Sequence, residues 1–317
     1  MRGGKRLRCV VMTPDVPEKA VPVALHRGLS PHTEPLAYDD VRAIFGASPE
    51  HPDAPDMVSM VGMEGMTGMV DTPVSIFIAG RCTSSFAPAW DLFEDGALTE
   101  WGGVLCACQT EGRGQLRRHW HSPRGNLHVT FLLPRDPLLQ GDAAALVTGY
   151  MVLTALQSLG FSLSLKWPND LLLHELDKVG GLLLEERNGS LMAGLGINLV
   201  EAPTAAELRK QGARAAVLLP ERMGEKQEPI TPFALWRRLV SELILTYTRH
   251  VQGRSLPELL DKIDGVLAWK NRAVICSEGD EYALRGKLLG LGPGGGLLLQ
   301  LPNREKREVF SGSLFLA

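Results

Sequence analysis

The dipeptide Asn188-Gly189, set between two alternating apolar runs, is the strongest local constraint on how this chain folds. Asn and Gly both accept positive φ, as the two-residue turn of a tight hairpin requires. Gly181 to Glu186 and Leu191 to Val200 are therefore read as antiparallel neighbours. Further strand-like runs precede them at Val74 to Ile78, Val104 to Gln109, Leu127 to Leu133, Phe161 to Leu165 and Leu171 to Leu173. Two helices fit between. One is short, capped by Thr83, Ser84 and Ser85 and ending near Gly96; the other, amphipathic, runs from Asp142 to Leu159 and is closed by Gly160. Consecutive hairpins with interspersed helices predict an α+β domain, a mixed or antiparallel sheet with helices on one side, and not a Rossmann fold.

The chain divides around this domain. Residues 1–72 are rich in Pro, His, Asp and Met and offer one helix candidate, Tyr38 to Phe45. Met57, Met60, Met63, Met66 and Met69 recur every three residues. Thioethers would suit copper(I), but no Cys or His joins the run, so an adaptable apolar strip is the preferred reading. Residues 73–268 form the main domain, which ends in helical sequence opened by Thr231-Pro232 and running from Phe233 to about His250. Residues 269–317 turn to short strands separated by Gly-rich turns, including Gly292-Pro293-Gly294-Gly295-Gly296, and predict a small C-terminal β-barrel.

Bulk properties narrow the function. A formal net charge of -3 over 317 residues argues against a general polyanion binder. The basic start carries an apolar run too short for a signal peptide, and no run approaches a membrane span. The five cysteines are odd in number and lack any CxxC pair, which predicts reduced thiols and a cytoplasmic setting.

Two dense motifs remain. Gln109 to Leu127 reads QTEGRGQLRRHWHSPRGNL, with Arg113, Arg117 and Arg118 beside Gly112 and Gly114. Flexible amides and planar guanidinium forks are concentrated there, as wrapping an anion requires. Lys166-Trp167-Pro168-Asn169-Asp170 follows, then Lys178 ahead of Gly180-Gly181. Gly112-Arg113-Gly114 lacks the third glycine of a dinucleotide fingerprint, and no GxxxxGK[ST], HExxH or nucleophile elbow is present. His119 and His121 are read as loop packing. The remaining set suits attack of a carboxylate on a nucleotide phosphate, which needs fixed positive charge around both anions and little water. Asp170 with Asn169 could hold Mg2+ against the phosphates, and Trp120 could stack on a purine.

The order QTEGRGQLRRHWHSPRGNL, KWPND, KVGGLLLE and GLGINL resembles the biotin protein ligases, strongly over Val74 to Val200. The C-terminal segment resembles that family's SH3-like domain. The resemblance implies a class II synthetase-like fold and a two-step reaction. Biotin and Mg-ATP give biotinoyl-5'-AMP, which then acylates a lysine of a biotin carboxyl carrier protein, as in acetyl-CoA carboxylase.

Position by position, it places Thr83, Ser84 and Ser85 near the ureido end of biotin and Gln109 along it. Gly112, Arg113 and Gly114 become the loop closing over biotin and adenylate. Arg118 falls on the phosphate side and Trp120 beside the adenine. Asn169 and Asp170 form the phosphate and metal corner, Lys178 lies near carboxylate and α-phosphate, and Asn198 on the nucleotide side. A lysine side chain is an ammonium at neutral pH, so Lys178 would act electrostatically. Gln115 stands where the family has an adenylate-retaining Arg, Arg117 replaces a Gly, and Thr83-Ser84-Ser85 departs from Ser-Thr-Asn. No helix-turn-helix pattern or basic recognition helix is seen in 1–72, so no DNA binding is expected. Homodimerisation through a sheet edge is compatible with the sequence. A lipoyl- or octanoyl-type ligase and a non-catalytic biotin-binding regulator stay open as alternatives.

Overall fold

The computed structural model describes residues 8–12, 38–45, 74–204, 214–218, 230–278 and 282–317. The methionine repeat and most of 1–72, including the expected lack of a helix-turn-helix, lie outside the described residues. Within that segment, β1 (Arg8–Met12) is a strand that the sequence did not announce, and α1 (Tyr38–Phe45) is the expected helix.

The main sheet is built from β1, β2 (Val74–Cys82), β3 (Gly103–Gln109), β4 (Leu127–Leu132), β5 (Leu163–Lys166), β6 (Asp170–Leu173), β7 (Asp177–Arg187) and β8 (Ser190–Ile197). Its order is β1-β2-β3-β4-β8-β7-β6-β5, with the two-residue β9 (Arg214–Ala215) parallel to β7. The β7–β8 hairpin turns at Asn188 (φ 51) and Gly189 (φ 71), as that dipeptide demands. Only β2–β3 is a parallel pair along this path, because α2 (Phe86–Glu94) crosses between them; the sheet is mixed.

Helices cover both faces, not one as expected. Alternation along β2 explains this: Ile76 and Ile78 face a large core with α1, α3 (Ala144–Ser158) and α4 (Pro232–Thr246), while Phe77 and Ala79 face α2 through Phe86, Ala89 and Trp90. Helix α3 is buried nearly all round by α4 and the sheet, so its expected amphipathic character gives way to a helix enclosed in the core.

Thr231 caps α4 by accepting from Ala234 N at 3.2 Å, with Pro232 at the first turn. A further helix, α5 (Leu256–Gly265), opens with a Ser255–Glu258 capping box. After it, Val266–Ala268 bonds to Leu165 on β5, covering what would be a bare edge.

The C-terminal strands β10 (Ala273–Glu278), β11 (Tyr282–Leu291), β12 (Leu297–Gln300), β13 (Lys306–Val309) and β14 (Ser313–Leu316) form an antiparallel sheet ordered β13-β12-β11-β10-β14. The single strand expected from Glu308 to Leu316 is broken by Gly312 (φ 119), which lets β14 leave β13 and pair with β10. Val274, Leu288, Leu299 and Leu314 join the same continuous core as the main sheet. The two sheets are also tied by Trp167 Nε1, which donates to Gly295 O at 3.2 Å.

Candidate active site

A cleft of about 660 Å3 opens between the end of the main sheet and β14. One corner is built by the β5–β6 hairpin. Lys166 and Asp170 are its last paired residues, so the Trp167-Pro168-Asn169 turn brings the ammonium and carboxylate together at 2.8 Å. Lys178 reaches the other oxygen, 2.5 Å from Asp170 Oδ1.

This third group depends on a bulge. Asp170 pairs with Gly181 and Leu171 with Gly180, but Leu172 pairs with Lys178, leaving Val179 unmatched. Side chains alternate faces with a period of two, so the extra residue moves Lys178 from the face opposite Asp170 to the same face. Gly181 leaves space for both: a Cβ there would stand 3.3 Å from Asp170 Oδ1 and 3.5 Å from Lys178 Nζ. Burial alone would raise the Asp170 pKa; the nearby Lys178 and Lys166 charges outweigh it and lower it to about 2.

The arginine-rich segment is not irregular. Trp120 N donates to Gly112 O and Gly114 N to Arg118 O, each at 2.8 Å, around an Arg113–His119 bridge. The segment is thus a narrow hairpin whose tip, Gln115–Arg117, is a 3-10 turn with Leu116 at φ 56. Only glycine fits at 112, since a Cβ would lie 2.4 Å from Trp120 O and Ser122 Oγ. The Trp120 indole rests against Gly196, where a Cβ would meet its Nε1 at 2.5 Å. That Nε1 is buried and has no hydrogen-bond partner among the described residues, and Lys178 Nζ lies 5.2 Å from the indole ring.

The arginines have partners. Arg113 Nη2 is 2.8 Å from Glu185 Oε1, and its guanidinium stands 5.8 Å from the Phe86 ring centre. Arg118 Nη2 donates to Ser313 Oγ at 2.6 Å, joining the hairpin to the C-terminal sheet. Gln109 Oε1 accepts from Ser85 N at 2.8 Å, and its Nε2 donates to Ser122 Oγ at 2.9 Å. Ser85 occupies the cap position of α2, but its hydroxyl makes no cap bond and sits 2.7 Å from Thr130 Oγ1. Asn198 Nδ2 donates to Ala216 O at 3.1 Å, while its Oδ1 is without a partner among the described residues.

Of the residues expected in the site, Ser84, Ser85, Gln109, Arg113, Gly114, Gln115, Arg118, Trp120, Lys166, Asn169, Asp170, Lys178 and Asn198 line this one cleft. Two lie outside its lining. Thr83 spends its carbonyl on Glu111 N at 2.8 Å, and Gly112 is buried behind Trp120 and Ser122. Asn169 lines the cleft but its amide donates to Leu182 O, so it braces the hairpin turn. Asp170 does not fit the expected metal-ligand role: both oxygens are held by ammonium groups. No group of three or more His, Cys, Asp or Glu is placed to hold a metal among the described residues. Phe86 and the wall Gly312–Phe315 escaped sequence reasoning, because docking of one sheet on another leaves no local signal.

Residues 93–200 match the model of the biotin/lipoate A/B protein ligase family. The chain is 34% identical over 161 residues to a biotin--[acetyl-CoA-carboxylase] ligase of Paracoccus denitrificans, covering 47% of this chain and 64% of that protein. It is 34% identical over 107 residues to the bifunctional ligase/repressor BirA of Bacillus subtilis, covering 32% of this chain and 33% of that one. The matches thus span less than two thirds of these curated relatives. Among solved structures, a biotin protein ligase from Aquifex aeolicus in complex with biotin and ATP superposes with a TM-score of 0.62 at 26% identity. That likeness covers 76% of this chain and 99% of the other.

Proposed function

We propose, for a chain whose residues 93–200 match the model of the biotin/lipoate A/B protein ligase family, that it is a biotin protein ligase. In the first step a biotin carboxylate oxygen attacks the α-phosphorus of ATP. The bond from that phosphorus to the bridging oxygen breaks, pyrophosphate leaves and biotinoyl-5'-AMP remains. In the second, a neutral lysine amine of the acceptor attacks the acyl carbon. The acyl–oxygen bond breaks, AMP leaves, the amine loses its proton and an amide is formed. The acceptor would be a biotin carrier domain of a carboxylase, the class of enzyme named for the Paracoccus denitrificans relative.

One observation carries this reading: cations from three separate elements, Arg113 and Arg118 of the hairpin, Lys166 and Lys178, line the same cleft as Gln109 and Trp120. Bringing a carboxylate against a triphosphate is opposed by charge repulsion, which convergent fixed cations offset in a partly dry site. Lys178 and Arg113 would neutralise the carboxylate and α-phosphate, and Arg118 the phosphate side. Asp170 would act as a positioning residue that holds both lysines. Trp120 offers a flat face to the purine, and Asn198 Oδ1, without a partner among the described residues, an acceptor in the same cleft. Gln109, Ser84 and Ser85 supply a polar end for the biotin ring. Magnesium, expected with the nucleotide, would supply charge neutralisation on the phosphates; with Asp170 engaged by lysines, no step is assigned to a protein-held metal.

Biotin-dependent exchange of labelled pyrophosphate into ATP tests the proposal. Exchange that lipoate supports and biotin does not would overturn it in favour of a lipoyl-type ligase. Biotin binding with no exchange would point to a non-catalytic regulator.

A further inference from the structure

Arg113 is drawn in two directions. Its guanidinium stands over Phe86, a wall of the cleft, yet its Nη2 is 2.8 Å from Glu185, a β7 residue that does not line the cleft. Glu185 is placed to hold on: its other oxygen lies 3.4 Å from Trp90 Nε1, a donor on a fully buried ring of α2. Arg113, by contrast, is half exposed, so its side chain can leave Glu185 without unpacking the core or the hairpin backbone. A half-exposed ion pair is weak, and an anion with several charges in the cleft competes with it effectively.

We propose that Glu185 is the counter-ion of Arg113 in the ligand-free protein, and that Arg113 exchanges it for the anionic ligand by turning its side chain into the cleft. The proposal rests on the ligase reading. Glu185 is then a positioning residue: it keeps the hairpin ordered and Arg113 within reach of the cleft, at the expense of some affinity.

Limited trypsin digestion and calorimetry on the full chain test this with Glu185→Gln, Arg113→Ala and the double variant. Without ligand, Glu185→Gln should be cut faster after Arg113, Arg117 and Arg118 than wild type. With biotin and a non-hydrolysable ATP analogue it should bind roughly two- to five-fold tighter, the range set by loss of one exposed ion pair. In the Arg113→Ala background the same change should leave affinity unaltered. Unchanged digestion, unchanged or weaker binding by Glu185→Gln, or an equal effect in the Arg113→Ala background would overturn the assignment to Glu185 while wild-type pyrophosphate exchange persists. A wild type with no biotin-dependent exchange would overturn the ligase reading, and the exchange of partners with it.

Discussion

Lys178 Nζ stands 2.5 Å from Asp170 Oδ1 because β7 accommodates one unmatched residue, Val179. Lys178 and Asp170 are eight residues apart on the β6–β7 hairpin, and the slipped register puts both side chains on one face.

Replacement of Lys178 by Ala should remove a charge that matters most when negative charge accumulates between carboxylate and phosphate. We expect pyrophosphate exchange to fall by about 100-fold or more, while the biotin Kd changes little. Stopped-flow exchange together with calorimetry checks this. A large loss of biotin affinity with an intact turnover rate would contradict the role.

Asp170 links the site to stability. Its carboxyl ionises at about 2 in the fold, below the ordinary value of 3.8. A group whose folded pKa is depressed contributes stability above its unfolded pKa and loses it as pH falls towards the folded one. The difference corresponds to about 2 kcal/mol. Urea denaturation should therefore show the wild type losing about 2 kcal/mol more than Asp170→Asn between pH 4 and pH 2, with no such difference in slope near pH 7.

Gly196→Ala should act on the nucleotide alone. A new Cβ would sit 2.5 Å from Trp120 Nε1 and 2.6 Å from Cε2, and the ring must yield because Gly196 is held on both sides by β4 and β7. Overpacking of this kind predicts about a tenfold or greater rise in the Kd for an ATP analogue. Biotin affinity should hold, and thermal unfolding should confirm that the variant is folded.

Ser313→Ala removes the acceptor for Arg118 Nη2 and leaves the rest of β14 intact. A lost hydrogen bond to a charged group predicts roughly a tenfold or greater rise in KM for ATP, measured with biotin saturating. No change would mean that Arg118 is oriented by its own hairpin.

Much of this was legible in sequence where the signal is local. Asn188-Gly189 announced its turn, Thr231-Pro232 its helix start, and Gly160 (φ 90) the end of α3. The capping box Ser255–Glu258, which opens α5, is an equally local signal. Lys178 precedes the strand expected from Gly181 to Glu186 and lies instead inside β7, since Asp177 already pairs with Leu173. Composition does not show that bulge, nor which sheet face a helix will cover. Glu185 and Ser313 were silent for a different reason: each meets its arginine across 72 and 195 residues of chain, a juxtaposition that only the tertiary fold creates.

Among the described residues strand β14 pairs with β10 alone, at the margin of the small sheet, yet it furnishes one side of the cleft. Four residues detaching from one neighbour would unroof the cleft and release Arg118 from Ser313, while leaving Lys166 and Lys178 paired with Asp170 on the main sheet. Water entry, and with it wasteful hydrolysis of a mixed anhydride, would thus be governed by the hold of a single marginal strand, far along the chain from the groups that do the chemistry.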